Sequence, residues 1–162
     1  MSKVSVIDVF PSEDYRRGYV AGFFDADGFV GLYIHNTPKP SIVFTNTHVY
    51  VLDWLRTSVF QDEGIDYIYA YRKSRQIKIY RWDQIEKFVE KFKNLCIVKR
   101  SQLELLDEAI RKRRELRKHR KGRRLYSDRN IEDFRKIAQR IKDERQKTKE
   151  NWELTNSGYF PI

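Results

Sequence analysis

The stretch YVAGFFDADGFVGLYI, residues 19–34, decides how this chain folds. Its first half is an apolar, helix-like run, its second half alternates like a strand, and two aspartates stand two apart at the join. Asp and Gly are ordinary turn formers, so DADG is compatible with a solvated turn. Two carboxylates so close together also suit a metal ion. Gly18, Gly22 and Ala26, spaced by four, form a side-chain-poor stripe along one helical face, along which a second helix can approach closely. Tyr19, Val20, Phe23 and Phe24 are left to pack into the core beside it.

Working outward, SEDYRRGYVAGFFDA follows Pro11 and starts with Ser12 as an N-cap and acids in the first turn, which predicts a helix over about 12–26. FVGLYIHN then sets Val30, Leu32 and Ile34 against Gly31, Tyr33 and His35, and SIVFTN after TPKP completes a hairpin. HVYVLDWLRTSVFQDEG gathers Val51, Leu52, Leu55 and Val59 on one helical face and stops at Gly64. IDYIYAYRKSRQIKIYRW reads as a second hairpin, with Ile68, Ala70, Ile77 and Ile79 inward and Tyr67, Tyr69, Tyr71, Gln76, Lys78 and Tyr80 outward. A third helix starts at Asp83 and carries Ile85, Phe88, Val89, Phe92 and Leu95. Two more follow, one from about Lys99 and one from Asp128 bearing Ile131, Phe134, Ile137 and Ile141, with KGRRLYS as a hinge between them. The order predicts an α+β fold, an antiparallel four-stranded sheet with helices on one face.

The other face of that sheet collects Tyr33, His35, Ser41, Val43, Thr45, Tyr67, Tyr69, Tyr71, Lys73, Gln76, Lys78 and Tyr80. It is polar, aromatic and basic. A solvated face would carry more Glu and Lys and fewer tyrosines. Donors and flat rings suit base edges and phosphates, because a two-stranded ribbon can enter the major groove of DNA.

The 162 residues are most simply one domain, with a core over 1–98 and basic helices and tail over 99–162. A formal net charge of +10 attracts polyanions. Most of the excess lies after residue 98, in IRKRRELRKHRKGRR and its continuation, where Arg120, Lys121, Arg123 and Arg124 are candidates for phosphate contact. A single cysteine, Cys96 in an apolar segment, rules out an internal disulfide and reads as a small buried hydrophobe. The N-terminus lacks a signal-peptide pattern and no run approaches a membrane span, which predicts a soluble intracellular protein. A calcium loop fails on spacing. With Gly28 at loop position six, Phe23 and Ile34 fall where carboxylates are required.

VAGFFDADG at residues 20–28 resembles the motif that names the LAGLIDADG homing endonucleases, and the predicted order of elements extends the resemblance over roughly the first hundred residues. The resemblance implies an αββαββα fold and a site-specific DNA endonuclease. Only one copy of the motif is present, so the partner for the stripe is the same helix of a second subunit, with Gly18, Gly22, Asp25 and Ala26 in the contact. Two like-charged carboxylates meeting on a two-fold axis repel unless cations sit between them. By the resemblance Asp27 is the metal ligand, helped by the carbonyl of Ala26, and Asp25 belongs to the helix end and the subunit contact. Magnesium, for which manganese can substitute, is the implied ion. IVFTNTHVYVLDWL points to Asn46 as the residue that positions the attacking water, with His48 as the alternative, and VKRSQLELL matches Lys99 to a basic residue close to the metals. The implied reaction cuts both strands of a long, roughly palindromic site across the minor groove and leaves short 3′ overhangs. A non-cleaving DNA-binding regulator or an RNA-splicing maturase of the same fold is the alternative.

Overall fold

A computed structural model describes residues 12–60, 68–119 and 125–156. Helix α1 spans Glu13–Asp27, strand β1 Gly28–Ile34 and strand β2 Pro38–Asn46. Helix α2, Val49–Trp54, runs on into a π-helical turn, Leu55–Val59, and strands β3, Ile68–Tyr71, and β4, Ser74–Ile79, follow. Helices α3, Trp82–Phe92, α4, Arg100–Lys118, and α5, Asp128–Asn156, are the remaining described elements. The four strands form one antiparallel sheet in the order β1-β2-β4-β3, so the α+β fold expected from the sequence is the one observed. No described helix is long and apolar enough to cross a membrane.

The start of α1 is set by local chemistry. Ser12 Oγ accepts the Tyr15 N–H at 3.2 Å, and Glu13 and Asp14 complement the positive end of the helix. Strand register then sorts the side chains. Val30 faces Ile42, Ile42 faces Ile79, Phe44 faces Ile77 and Ile68 faces Ile77, and this side is covered by helices. Phe44 sits inside a knot of aromatic rings. Phe24 from α1 lies 5.0 Å from it, Phe88 from α3 5.7 Å and Phe60 5.4 Å, each pair adding roughly 0.5–1.5 kcal/mol beyond area burial. Phe60 reaches the knot because its N–H bonds the Leu55 carbonyl five residues back, which widens the last turn after α2.

Several expectations are corrected. The helix after the first hairpin turns Leu52, Trp54 and Leu55 inward, whereas Val51 and Val59 are only half-buried; Gly64, its expected stop, lies outside the described residues. Helix α3 ends at Phe92, and Leu95, beyond it, is 43% exposed. Ala70 shares the inward side with Ile68 yet is exposed, because its cross-strand partner Arg75 is exposed too. Tyr19 lies outside the core. It is 43% exposed and rests edge-on against Trp54 at 5.5 Å, because position 19 sits beside Gly22 and Ala26 on the helix.

The tail after residue 98 is more than a cationic surface. Leu103, Leu106, Ile110, Phe134, Ile137 and Ile141 join the same core as the sheet. The first half of the basic run is used inside the fold: Lys112 pairs with Asp133 at 2.7 Å, Arg114 with Glu86 and Glu90, and Arg113 stacks on the Trp82 ring at 5.0 Å. Of the expected hinge, Tyr126 is buried against Phe134, and Ser127 Oγ accepts the Asn130 N–H at 3.3 Å as the cap of α5.

Gly28 joins helix to strand, and its need for glycine is steric rather than conformational. Its φ is −79°, open to any residue, but an added Cβ would stand 2.1 Å from Phe24 Cδ2 and 2.4 Å from the Phe24 carbonyl oxygen. Because one of those atoms is backbone, relaxation cannot relieve the clash. Gly28→Ala is expected to destabilise the fold by about 3 kcal/mol, read as a lowered denaturation midpoint. An unchanged midpoint would refute this close approach.

Candidate metal and nucleic-acid site

Asp27 is the last residue of α1 and is exposed. Gly28 pairs with Phe44, so Thr45 and Asn46 run past the start of β1 on the side of the sheet where Asp27 leaves the helix. The Gly18 and Gly22 faces are open, with nothing within 4 Å of a Cβ built on either, and Ala26 is exposed in line with them. Exposed apolar side chains border this stripe: Tyr15 at 68% and Tyr19 on the helix itself, and Val98 at 45% across the groove that Gly22, Ala26 and Asp27 line.

The two aspartates have different surroundings. Both carboxylate oxygens of Asp25 accept backbone N–H groups of the turn before α4, Oδ2 from Ile97 at 2.6 Å and Oδ1 from Lys99 at 2.9 Å. Asp25 therefore holds the 97–99 turn within its own chain. Lys99 is delivered by that turn with its side chain folded inward, only 8% exposed, and its Nζ donates to the Asp25 carbonyl at 2.5 Å. It is not a solvated helix-start lysine. Burial pushes its pKa below the ordinary 10.5, opposed by the charges of Asp25, Cys96 and Asp27, which favour the ammonium. Cys96 is 1% exposed, and burial, with Asp25 next, pushes its thiol up to about 12, far from a reactive thiolate.

The lowered pKa has a sign that can be tested. The folded chain holds the Lys99 proton less tightly than the unfolded chain, so the penalty is complete below the folded pKa and fades as pH rises through it toward 10.5. Wild type should therefore gain stability relative to Lys99→Met as pH rises from 7 toward about 10, in denaturant titrations of both proteins. Parallel stability curves would contradict a penalised ammonium.

Asn46 Oδ1 accepts the His48 N–H at 2.7 Å with one of its two lone pairs. His48 is exposed at the N-cap of α2 and makes no side-chain capping bond. Among the described residues no group of three or more His, Cys, Asp or Glu side chains could hold a metal ion. One chain brings the Asp27 carboxylate and the Ala26 carbonyl to this point, and such hard oxygen donors suit magnesium when phosphate and water oxygens complete the set.

The uncovered side of the sheet carries Tyr33, Ser41, Thr45, Tyr69, Gln76 and Lys78, as the alternation predicted. Cross-strand contacts order it. Gln76 Nε2 donates to Thr45 Oγ1 at 3.1 Å, and Lys78 Nζ lies 5.5 Å from the Tyr69 ring centre. His35, Lys73 and Tyr80 are exposed just beyond strand ends, whereas Val43, at 9% exposure, offers little surface for a ligand. Tyr67, Arg120, Lys121, Arg123, Arg124 and the Tyr71 side chain lie outside the described residues. Phe29 and Lys39, opposite Val43 and Tyr33, belong to this face and were missed, although alternation counted back from Gly31 and across from Tyr33 marks both. Gly31 keeps the face flat, since a Cβ there would come within 2.7 Å of Phe29 Cε1. Gln102 and Arg145, which line the groove beside Asp27, carried no signal in the sequence.

No family model and no curated protein matches the sequence. Similarity appears in three dimensions. The homing endonuclease I-CvuI, solved with a DNA target in the presence of magnesium, superposes with TM-score 0.62 at 16% identity, over 81% of this chain and 82% of that one. The homing endonuclease I-TnaI gives 0.60 at 17%, over 82% and 97%. The LAGLIDADG homing endonuclease I-SmaMI, solved bound to cleaved DNA, gives 0.61 at 18% over 75% of this chain, which spans only 42% of its length. The chain, an acid-ended helix packed against an antiparallel four-stranded sheet with an open glycine stripe, thus has the LAGLIDADG homing endonuclease fold.

Proposed function

We propose that this protein is a homodimeric, metal-dependent DNA endonuclease that cuts both strands of a long, pseudo-palindromic site. The observation that carries this reading is the exposed Asp27 at the end of an open Gly18–Gly22–Ala26 stripe, with Lys99 lining the same groove. The stripe has room for a second copy of α1, and a two-fold axis there brings two Asp27 side chains together. That the chain superposes on less than half of I-SmaMI but on most of I-TnaI supports a protein whose working unit needs two such folds.

The two Asp27 carboxylates and Ala26 carbonyls would hold magnesium, which supplies Lewis-acid activation of the scissile phosphate and of the attacking water. Lys99 sets a cation beside Asp27 and offsets the charge of the phosphate and its solvent. Asn46, held through its oxygen by the His48 N–H, orients a water by hydrogen bonding but as a neutral amide cannot take its proton. The sheet reads the half-site with Tyr33, Ser41, Thr45, Tyr69, Gln76 and Lys78 as the core of the contact, while His35 and Lys73 reach from the strand ends.

The test is incubation of a supercoiled plasmid library with protein and magnesium, followed by recovery of linear product. Linear DNA with short 3′ overhangs supports the reading. Binding without linear product would move the protein to the non-cleaving class, a regulator or a maturase.

A further inference from the structure

Helix α5 continues well past the point where it serves the core. Ile141 is its last buried residue among those whose burial is described, yet the helix runs on to Asn156, about 22 Å further at 1.5 Å per residue. Over residues 142–151 no described side chain is buried. What this extension does is form one wall of a groove, with Arg145, Thr148 and Lys149 facing Ala26, Asp27 and Lys99 on the other.

Arg145 differs from its neighbours along the helix. Arg135, Arg140 and Lys147 are spent on ion pairs with Glu132, Glu108 and Glu144, and Glu144 is held by Lys147. Arg145 instead lays its guanidinium over the Phe29 ring, 4.5 Å from the ring centre. Phe29 belongs to the uncovered face of the sheet, two residues beyond Asp27. A cation–π contact of this kind does not use up the guanidinium N–H groups, which can still donate, two at a time, to phosphate oxygens. The ring also fixes the side chain and so lowers the entropy lost on binding.

We propose that Arg145 is a phosphate clamp at the border between the DNA-reading face and the Asp27 end of α1, gripping the DNA backbone next to the bond to be cut. This rests on the nuclease reading only in taking duplex DNA as the ligand, and the test is one of binding without cleavage. Affinity for a mixed-sequence 30-base-pair duplex is measured in EDTA across a salt series for wild type, Arg145→Gln, Arg145→Lys and Arg135→Gln. Arg145→Gln should bind about tenfold more weakly at low salt. Its slope of log K against log salt should be shallower by about one for each Arg145 that engages DNA. Arg145→Lys should restore most of the slope, and Arg135→Gln, which removes one equal charge from the same helix, should leave it at the wild-type value. A wild-type slope in Arg145→Gln overturns the clamp while leaving the nuclease reading intact. An equal loss in Arg135→Gln overturns it too, by reducing the effect to net charge. Wild-type protein that fails to bind duplex DNA overturns both.

Discussion

Asp27→Asn is expected to abolish plasmid cleavage while leaving the fold and DNA binding in place. The side chain is exposed at a helix end, so replacing it with its amide should change stability by no more than about 0.5 kcal/mol. The chemistry is affected far more. A neutral amide oxygen is a poor partner for a hard divalent cation, and in the proposed dimer both copies of the site would lose their carboxylate at once. Loss of groups that merely support a metal ligand costs 10–100-fold, so loss of the ligand itself should cost at least about a hundredfold in cleavage rate. Removing two negative charges near the phosphates should hold affinity constant or raise it. Asp25→Asn in the same assays is the contrast, because it would weaken two charge-assisted bonds to the 97–99 turn and lower stability. Undiminished cutting by Asp27→Asn would sink the proposed metal site.

Gly22→Leu should separate the subunits without harming either. In an isolated chain a side chain at position 22 meets open space, and exchanging Gly for Leu inside a helix favours the helix by up to about 1 kcal/mol. The protomer should therefore melt no lower than wild type. In the proposed dimer the same side chain would enter the closest contact between two helices, where overpacking costs roughly 1–3 kcal/mol, twice over by symmetry. Sedimentation should show a monomer at concentrations where wild type is dimeric, and double-strand cleavage should vanish with the dimer. A variant that stays dimeric and active would place the interface elsewhere. A variant that unfolds would show that the stripe is packed within its own chain.

The fold was legible to a large extent because its signals are local. Ser12 caps α1 through an atom three residues away, and β4 alternates because one side of the sheet packs on the core and the other does not. Where expectations failed, a distant partner had intervened. The glycine at position 28 looks like turn chemistry but answers to the Phe24 ring, and Lys112, Arg113 and Arg114, which look like part of a cationic surface, also meet Asp133, Trp82 and Glu86.

The candidate site divides in the same way. By itself the sequence determined that a helix ends in two acids beside a bare stripe and that the sheet keeps an aromatic, basic face, since helical and strand periodicities are properties of neighbouring residues. Which acid is committed and which is available was decided only by the tertiary structure. Asp25 is spent on N–H groups more than seventy positions later in the chain, and Arg145 meets Phe29 across more than a hundred. Such contacts depend on how whole elements pack against one another, and packing is set by the shape of the assembled core rather than by any short run of residues.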